Sequence, residues 1–328
     1  MAEALTGGLR GGIDLGGTKI QTVVLGERNV VAGQARAQTP TTGGPGDVAA
    51  AMLAALREAA AAAGVATADL THVGVGSPGE VDAETGTVTS ARNLPGWEGS
   101  YALGPELAEG LGTAVVLGND VQVATDAEAQ LGAGRSYRSM LGVFWGTGVG
   151  GGIVLDGKPW LGRGGAGEIG HVVVKIDGAQ CPCGRRGCME AYAGRNAMER
   201  RARELHAKGE HTELFKLARK RGRERLTSGV WAAALERDDP LATKLIGRAV
   251  QALGAGVASV DNVLDVEVII LGGGLGVRLG RPYADRIAAE MLPHLFHHRP
   301  PPVVVAELGD LGGAIGASLL TPVVATAA

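Results

Sequence analysis

The run GEIGHVVVKIDGAQCPCGRRGCMEAY, Gly167 to Tyr192, holds every cysteine of the 328-residue chain, three of them within eight positions. Four readings compete: a disulfide, a redox pair, a metal site, or three small hydrophobes that happen to be neighbours. An odd number of thiols argues against a disulfide framework, and the C-x-C spacing departs from the redox motif, in which two residues intervene. With His171 included, the order is His171, nine residues, Cys181, one residue, Cys183, four residues, Cys188. One imidazole and three thiolates make a closed tetrahedral set of the soft donors Zn²⁺ favours, with no open position for metal-bound water. The expectation is a structural zinc rather than a catalytic one. Such a metal would anchor Glu168, three residues before His171, and Glu190, two residues after Cys188. Convergent carboxylates of this kind recognise polyols, and a histidine bound through one ring nitrogen keeps the other for a second partner.

The length exceeds that at which one hydrophobic core usually keeps growing, so two lobes are expected, and 45% hydrophobic residues suffice for both. A net charge of -3, from 31 basic and 34 acidic residues, gives no general pull toward nucleic acid or an anionic membrane. The opening MAEALTGGLR lacks the pattern of a secretory signal. The alanine-rich stretch from Ala49 to Ala63 is broken by Arg57 and Glu58, so it reads as a helix in water rather than a span. A cytoplasmic protein with reduced thiols is the expectation. The basic run from Arg195 to Arg225 reads as a solvated helix face, with Glu199 and Arg203, and Glu204 and Lys208, paired four residues apart. Its competing reading is a patch for nucleic acid or polyphosphate.

From Leu9 to Arg36 the text reads as three antiparallel strands, with a glycine turn and then a turn at Gly26 to Asn29 between them. A helix from about Gly46 to Ala63, a strand from His72 to Gly76 and a strand from Ala114 to Leu117 complete one α/β lobe. At Gly118 the pattern restarts. A helix from Val121 to Leu131 leads to strands Met140 to Trp145 and Gly152 to Leu155, again joined by glycines. A mainly helical region from Glu190 to Asp261 follows, then strand Val266 to Leu271, helix Tyr283 to Leu292, strand Pro302 to Ala306 and a terminal helix after Gly312. The expected division is therefore a small lobe of residues 1–117 with the C-terminal helix of about 310–328, and a large lobe of 118–309.

The 55 glycines far exceed the usual share of about 7%. IDLGGTK, Ile13 to Lys19, sets an aspartate at the end of an apolar strand before a two-glycine turn. Such a turn can aim backbone N–H groups and the Thr18 hydroxyl at a phosphate, with Asp14 facing Mg²⁺ or its waters; an ordinary hairpin is the alternative. GTGVGGG, Gly146 to Gly152, matches the dinucleotide fingerprint literally, yet a strand follows where that fingerprint must open a helix. LGGGLG, Leu271 to Gly276, follows a third apolar strand. GNDVQVATDAE, Gly118 to Glu128, places Asn119 and Asp120 between a strand and a helix. Asp120 is either the helix N-cap or a general base that takes a proton from a substrate hydroxyl during phosphoryl transfer.

Together these residues resemble the ROK family of sugar kinases and sugar-responsive repressors, and most of all its bacterial glucokinases. The likeness runs through IDLGGTK, SPGEVD, NLPGW, GND, GTGVGGG, GEIGH, CPCGRRGCMEAY and LGGG, and its most specific part is GEIGH combined with C-x-C-G-x-x-G-C-x-E. It implies a two-lobed α/β fold of the actin-like ATPase (ribonuclease H-like) type, carrying a structural zinc site, with ATP and sugar in the cleft. The family's phosphate loops map onto Asp14, Gly16, Gly17, Thr18 and Lys19, and onto Gly146, Thr147, Gly148 and Gly150. Its adenosine loop maps onto Gly272, Gly273 and Gly274. Its sugar contacts map onto Gly79, Asn119, Asp120, Glu168, His171 and Glu190, with Asp120 as base, and its zinc ligands onto His171, Cys181, Cys183 and Cys188. One departure is Gln122, which stands where the family commonly has a second asparagine.

The resemblance thus implies an ATP- and Mg²⁺-dependent kinase for the 6-hydroxyl of a hexose, glucose first, assembled as a homodimer or homotetramer. Kinases for N-acetylmannosamine, N-acetylglucosamine, allose or fructose share much of the site, and polyphosphate is an alternative donor. A sugar-sensing regulator is the reading from another class. Family repressors carry a DNA-binding domain before the sugar domain, and only 13 residues precede Asp14, which favours the enzyme.

Overall fold

The structure is a computed structural model that describes residues 8–91 and 94–322, so Asn93 of the NLPGW run and the end of the terminal segment lie outside the described residues. The chain separates into two compact units. One runs through Gly132 and adds Leu161–Ala166 and the residues from Leu308 onward; the other comprises Ala133–Trp160 and Gly167–Glu307.

In the first unit, strands β1 (Arg10–Leu15), β2 (Lys19–Leu25), β3 (Val31–Gln38) and β4 (Val73–Ser77) precede a small antiparallel trio. The trio is β5 (Glu80–Asp82), β6 (Thr87–Thr89) and β7 (Ser100–Tyr101), and β8 (Val115–Asn119) follows. The helices are α1 (Pro45–Ala62), α2 (Leu103–Leu111) and α3 (Asp120–Leu131). The main sheet has the order β3-β2-β1-β4-β8. As the two short turns between them imply, β1, β2 and β3 pair antiparallel, whereas β4 and β8 run parallel to β1. Ile13, Leu15, Ile20, Val24, Val73 and Val75 are buried beneath α1 and α2 with Met52, Leu56 and Leu107. The buried Thr22 hydroxyl lies 3.2 Å from the carbonyl oxygen of Ala35 and 3.0 Å from that of Ala55, so a polar group inside the sheet is satisfied by the helix above it.

The second unit repeats the plan. Strands β9 (Met140–Trp145), β10 (Val149–Leu155), β11 (Lys158–Pro159), β12 (Val268–Gly272) and β13 (Val303–Val305) form a sheet of order β11-β10-β9-β12-β13. Its first three strands are antiparallel and its last two parallel to β9, the same sequence of directions as in the first sheet. Helices α4 (Glu190–Ala193), α5 (Arg195–Ala207), α6 (Leu214–Lys220), α7 (Ser228–Leu235) and α8 (Pro240–Leu264) lie between β11 and β12. After β12 come α9 (Gly273–Leu279) and α10 (Arg281–Met291), and α11 (Gly312–Ser318) returns to the first unit. The 25-residue α8 begins with Asp239 accepting from the Ala242 N–H at 2.8 Å and Pro240 in its first turn. It ends at Asp265 in the left-handed region, φ 49°.

Three expectations change. The division falls after Gly132 rather than at Gly118, because α3 packs on α11 across Gly316, where a Cβ would strike the Val123 carbonyl oxygen. The β5-β6-β7 sheet was not foreseen from its short, polar strands. The basic run is not a plain solvated face: Glu199 is buried, and it accepts from Arg203 at 2.7 Å, Arg225 at 3.1 Å and the Leu226 N–H at 3.1 Å, while Glu204 pairs with Arg201 rather than Lys208.

Many glycines of the first unit serve close backbone approach, since β1 and β4 meet α11 at Gly12 and Gly74. A Cβ on Gly74 would collide with the Ala317 carbonyl oxygen. Gly74→Ala is therefore expected to destabilise the protein by about 1–3 kcal/mol, read as a lower urea midpoint; an unchanged midpoint would show that α11 is not held this closely.

Candidate active site

Both sheets deliver their motifs to the carboxyl ends of parallel strands, the edge at which open α/β sheets bind ligands. In the first unit Asp14 stands opposite Gly76 of β4, and Ser77 opposite Asn119 of β8, so Asp14 and the Asn119-Asp120 pair share one edge. In the second, Gly272 at the end of β12 stands opposite Phe144 of β9, which brings the turn after Trp145 and the Gly272–Gly274 turn together. A Cβ on Gly146 would lie 3.8 Å from the Gly274 nitrogen.

At the first edge, Gly16 to Lys19 forms a tight turn closed by the Gly16 N–H on the Lys19 carbonyl at 3.0 Å. The Thr39 hydroxyl holds the Gly16 carbonyl at 2.6 Å, and Thr18 is exposed. Asp14 lies against Gly313 of α11, where a Cβ would come 2.6 Å from its carboxyl carbon. Desolvation pushes this carboxyl up from 3.8 to about 6, with Lys19 pulling it back and Asp310 adding to the push. Lys19 pairs with Asp310 at 3.3 Å and donates to Gln21 at 2.9 Å.

The α3 N-cap is Asn119, not Asp120. Asn119 Oδ1 accepts from the N–H groups of Val121 and Gln122, each at 3.1 Å. Capping therefore does not account for an acid at 120, which is the first residue of the helix, its Oδ1 3.0 Å from the Val121 nitrogen. Gln122 turns away along the helix and donates to Asp126 at 2.6 Å. Burial raises the Asp126 carboxyl to about 7, with Gln122 partly opposing. Gly79 has φ 90°, and a Cβ there would come 2.7 Å from the Thr89 carbonyl oxygen of the small sheet.

In the second unit the four expected metal ligands converge. His171, Cys181, Cys183 and Cys188 each offer an atom, all within 4.8 Å of one another. Cys181 Sγ lies 3.8 Å from His171 Nδ1, and Cys183 Sγ 3.7 Å from Cys188 Sγ. A tetrahedron with Zn–S bonds of about 2.3 Å has edges of about 3.8 Å, so the donor set fits Zn²⁺. Tight turns make this possible: the Gly184 N–H closes on the Cys181 carbonyl at 3.0 Å, and Gly184 and Gly187 have φ 89° and 81°. Burial pushes the Cys181 thiol up to about 12 and raises Cys188 as well. Cys183 falls to about 6, burial being outweighed by the Arg185 backbone and by the neighbouring thiols.

His171 Nε2 faces Glu168 at 3.7 Å, and the Glu168 side chain is largely exposed. Glu190 opens α4 and spans two motifs: one oxygen accepts from the Val149 N–H at 2.9 Å, and the other lies 4.0 Å from Cys181 Sγ. A Cβ on Gly148 would strike this carboxylate, and one on Gly170 would strike the Val149 carbonyl, so part of the glycine cluster exists to let the metal loop and the GEIGH segment close in. Gly150 lies in β10, and the strand that follows the turn rules out the dinucleotide fingerprint.

Sequence reasoning missed Arg195 and Ser228. Arg195 donates to the Thr147 hydroxyl at 3.0 Å and the Ser228 hydroxyl at 3.3 Å, while its backbone N–H meets the Gly146 carbonyl at 3.1 Å. Burial, and then Arg225, lower its pKa. It stood at the start of a charge-rich run, which masked it.

A profile of the ROK family matches residues 10–323. The chain belongs to the ROK family. It is 32% identical to a glucokinase of Thermotoga maritima over 94% of this chain and 95% of that one. It is 32% identical to an N-acetylgalactosamine kinase of Shewanella sp. (strain ANA-3), over 94% and 95% respectively. A ROK family glucokinase of Streptomyces griseus, solved with glucose and AMPPNP, shares 31% identity and a TM-score of 0.82 over 95% of this chain and 98% of that one. The chain is a hexokinase-type phosphotransferase of actin-like ATPase fold, acting on a sugar. Among the described residues of this ROK protein, no helix is long and apolar enough to cross a membrane.

Two outcomes test this geometry. Metal analysis should find zinc in the wild type and not in Cys188→Ser, whereas a wild type free of zinc would remove the cluster's purpose. For Asp14 the raised folded-state pKa means that the folded chain binds more protons than the unfolded one between pH about 4 and 6. Stability conferred by the protonated acid is then lost as pH rises through that window. In buffer without nucleotide or divalent metal, Asp14→Asn should melt higher than wild type at pH 7.5, with the gap closing toward pH 4; equal melting at both pH values would refute the desolvated carboxyl.

Proposed function

We propose that the protein transfers the γ-phosphoryl group of ATP to the 6-hydroxyl of a hexose, with glucose the first candidate. The observation that carries this reading is the position of Asp120. It lies at the carboxyl edge of the first sheet, one residue into α3, with the capping task taken by Asn119. An acid so placed suits a general base that accepts the 6-hydroxyl proton as the phosphoryl group moves. In this reading the first unit offers Gly79, Asn119 and Asp120 as sugar contacts, and the second offers Glu168, His171 and Glu190 as contacts of its own. Each unit offers a phosphate turn of its own, Gly16 to Lys19 with the Thr18 hydroxyl in the first and Gly146, Thr147, Gly148 and Gly150 in the second; the Gly16 and Gly146 N–H groups close these turns on the Lys19 and Gly148 carbonyls and are not themselves donors to phosphate. Gly272, Gly273 and Gly274 take the adenosine side, and Arg195 steadies Thr147.

Asp14 is the residue that would meet Mg²⁺, and the ion, when bound, supplies charge neutralisation of the transferring group. The zinc would do no chemistry. It would fix the loop that carries Glu190 and, through the Val149 N–H, set Glu190 against the phosphate turn. Glucose and N-acetylgalactosamine kinases are equally near relatives by identity, so the choice among hexoses rests on a panel of sugars. The dimer or tetramer and the cytoplasmic setting belong to the same proposal.

Asp120→Asn should lower kcat by about 10²- to 10⁴-fold while KM for sugar, zinc content and melting temperature stay near wild type. Activity within tenfold of wild type would sink the assignment of the base. The same coupled assay, run with ATP and with polyphosphate across glucose, N-acetylgalactosamine, N-acetylmannosamine, N-acetylglucosamine, allose and fructose, should give glucose with ATP the highest kcat/KM.

A further inference from the structure

Behind the metal loop lies a cavity of about 470 Å³, walled by residues 175–192 on one side and by α5 and α8 on the other. Its volume is within the range of small-molecule sites. Five cations line it, Lys175, Arg186, Arg200, Arg201 and Arg248, against two carboxylates, Asp177 and Glu204. Only Arg201 is neutralised, by Glu204 at 2.9 Å. Among the described residues, Lys175, Arg186, Arg200 and Arg248 pair with no carboxylate. Two of them instead meet Gln180, Arg186 at its side-chain oxygen and Arg200 at its carbonyl, each at 3.4 Å. Arg248 lies over the Tyr192 ring, 5.6 Å from its centroid.

Four uncompensated cations converging on one concavity concentrate positive potential there, and guanidinium forks match phosphate oxygens two at a time. Apolar wall from Ala197, Met198 and Leu245 leaves room for a body that is not itself charged. We propose that this cavity is a second ligand site, which binds a small phosphorylated molecule of sugar-phosphate size. The sequence marked only part of it, the basic run that holds Arg200 and Arg201, because its other cations come from two further segments.

The cavity is wired to the site already described. The Tyr192 hydroxyl accepts from the Ala179 N–H at 2.8 Å, binding the loop before Cys181 to α4, the helix that Glu190 opens. A ligand bridging Lys175 and Arg186 of the loop to Arg200 and Arg248 of the helices stiffens this connection, and so changes the affinity for sugar. The change in sugar affinity rests on the kinase reading; the binding of the phosphorylated ligand does not.

The test is isothermal titration of the zinc-loaded protein with glucose 6-phosphate and with inorganic phosphate, in the presence of saturating glucose and AMPPNP. Saturable binding is expected, weakened at least tenfold in Arg200→Ala/Arg248→Ala and also in Lys175→Ala, with zinc content and melting temperature kept. Tighter binding of glucose 6-phosphate than of phosphate identifies a sugar ester as the ligand, and equal binding identifies the bare phosphate group. No saturable binding of either probe, or binding unchanged in both variants, overturns the proposal. Because heat of binding is read rather than turnover, loss of the kinase reading would leave this result standing.

Discussion

Three thiol sulfurs and an imidazole nitrogen lie within 4.8 Å of one another, and the sulfurs cannot all be thiolates at that range unless a cation sits among them. The second unit is laid out around that requirement. The C-x-C pair and Cys188 lie on turns that only glycine at 184 and 187 lets close, and the segment carries no long helix or strand of its own to hold it. Drawing the four ligands together brings Glu168 and Glu190 in from opposite flanks. Glu190 then reaches the Val149 N–H, so the turn before β10 is tied to the loop that carries the four donors.

The two sheets share one strand order and one pattern of directions, and both use glycine for two separate purposes. In the turns after β1 and β9 the glycines let the chain reverse tightly at the carboxyl edge, closed by the Gly16 N–H on the Lys19 carbonyl and the Gly146 N–H on the Gly148 carbonyl. Elsewhere they remove a side chain so that backbone can meet backbone, as at Gly12, Gly74 and Gly316 around α11, or at Gly148 and Gly170 around the metal loop. The surplus of glycine is thus as much a packing device as a binding one. Composition alone cannot separate the two, because both purposes ask for the same missing Cβ.

Much of this was legible in the text. Apolar runs joined by turns marked β1 to β3 and β9 to β10, and the spacing of His171 and the cysteines gave the cluster. What stayed hidden shares one cause, dependence on distant segments. Arg195 became notable only when α5 set it between Thr147 and Ser228, and Glu199 was read as solvated because its burial comes from Arg225 and Leu226, more than twenty residues away. The break after Gly132 was missed for the same reason, since α3 belongs with a helix nearly two hundred residues later. Asp120 was ambiguous between cap and base because the two uses look alike in sequence; the hydrogen bonds of Asn119 remove the cap reading.

The two units handle buried anionic donors differently. In the second, the thiols are grouped so that a zinc ion would fit among them, and a bound ion would offset the cost of burying them. In the first, Asp14 is raised to about 6 and meets only partial compensation from Lys19, whose charge is shared with Asp310. A carboxylate in that state gains most when a cation arrives, so in the proposed reaction the cost of its desolvation becomes affinity for the metal that accompanies the nucleotide. The proton is then a competitor. As pH falls through about 6 the acid is neutralised without the metal, and affinity for Mg²⁺ at Asp14 declines while the fold itself gains stability. Stability and readiness for the nucleotide therefore move in opposite directions at this residue, which is the physical reason for keeping an acid where packing alone would prefer a neutral side chain.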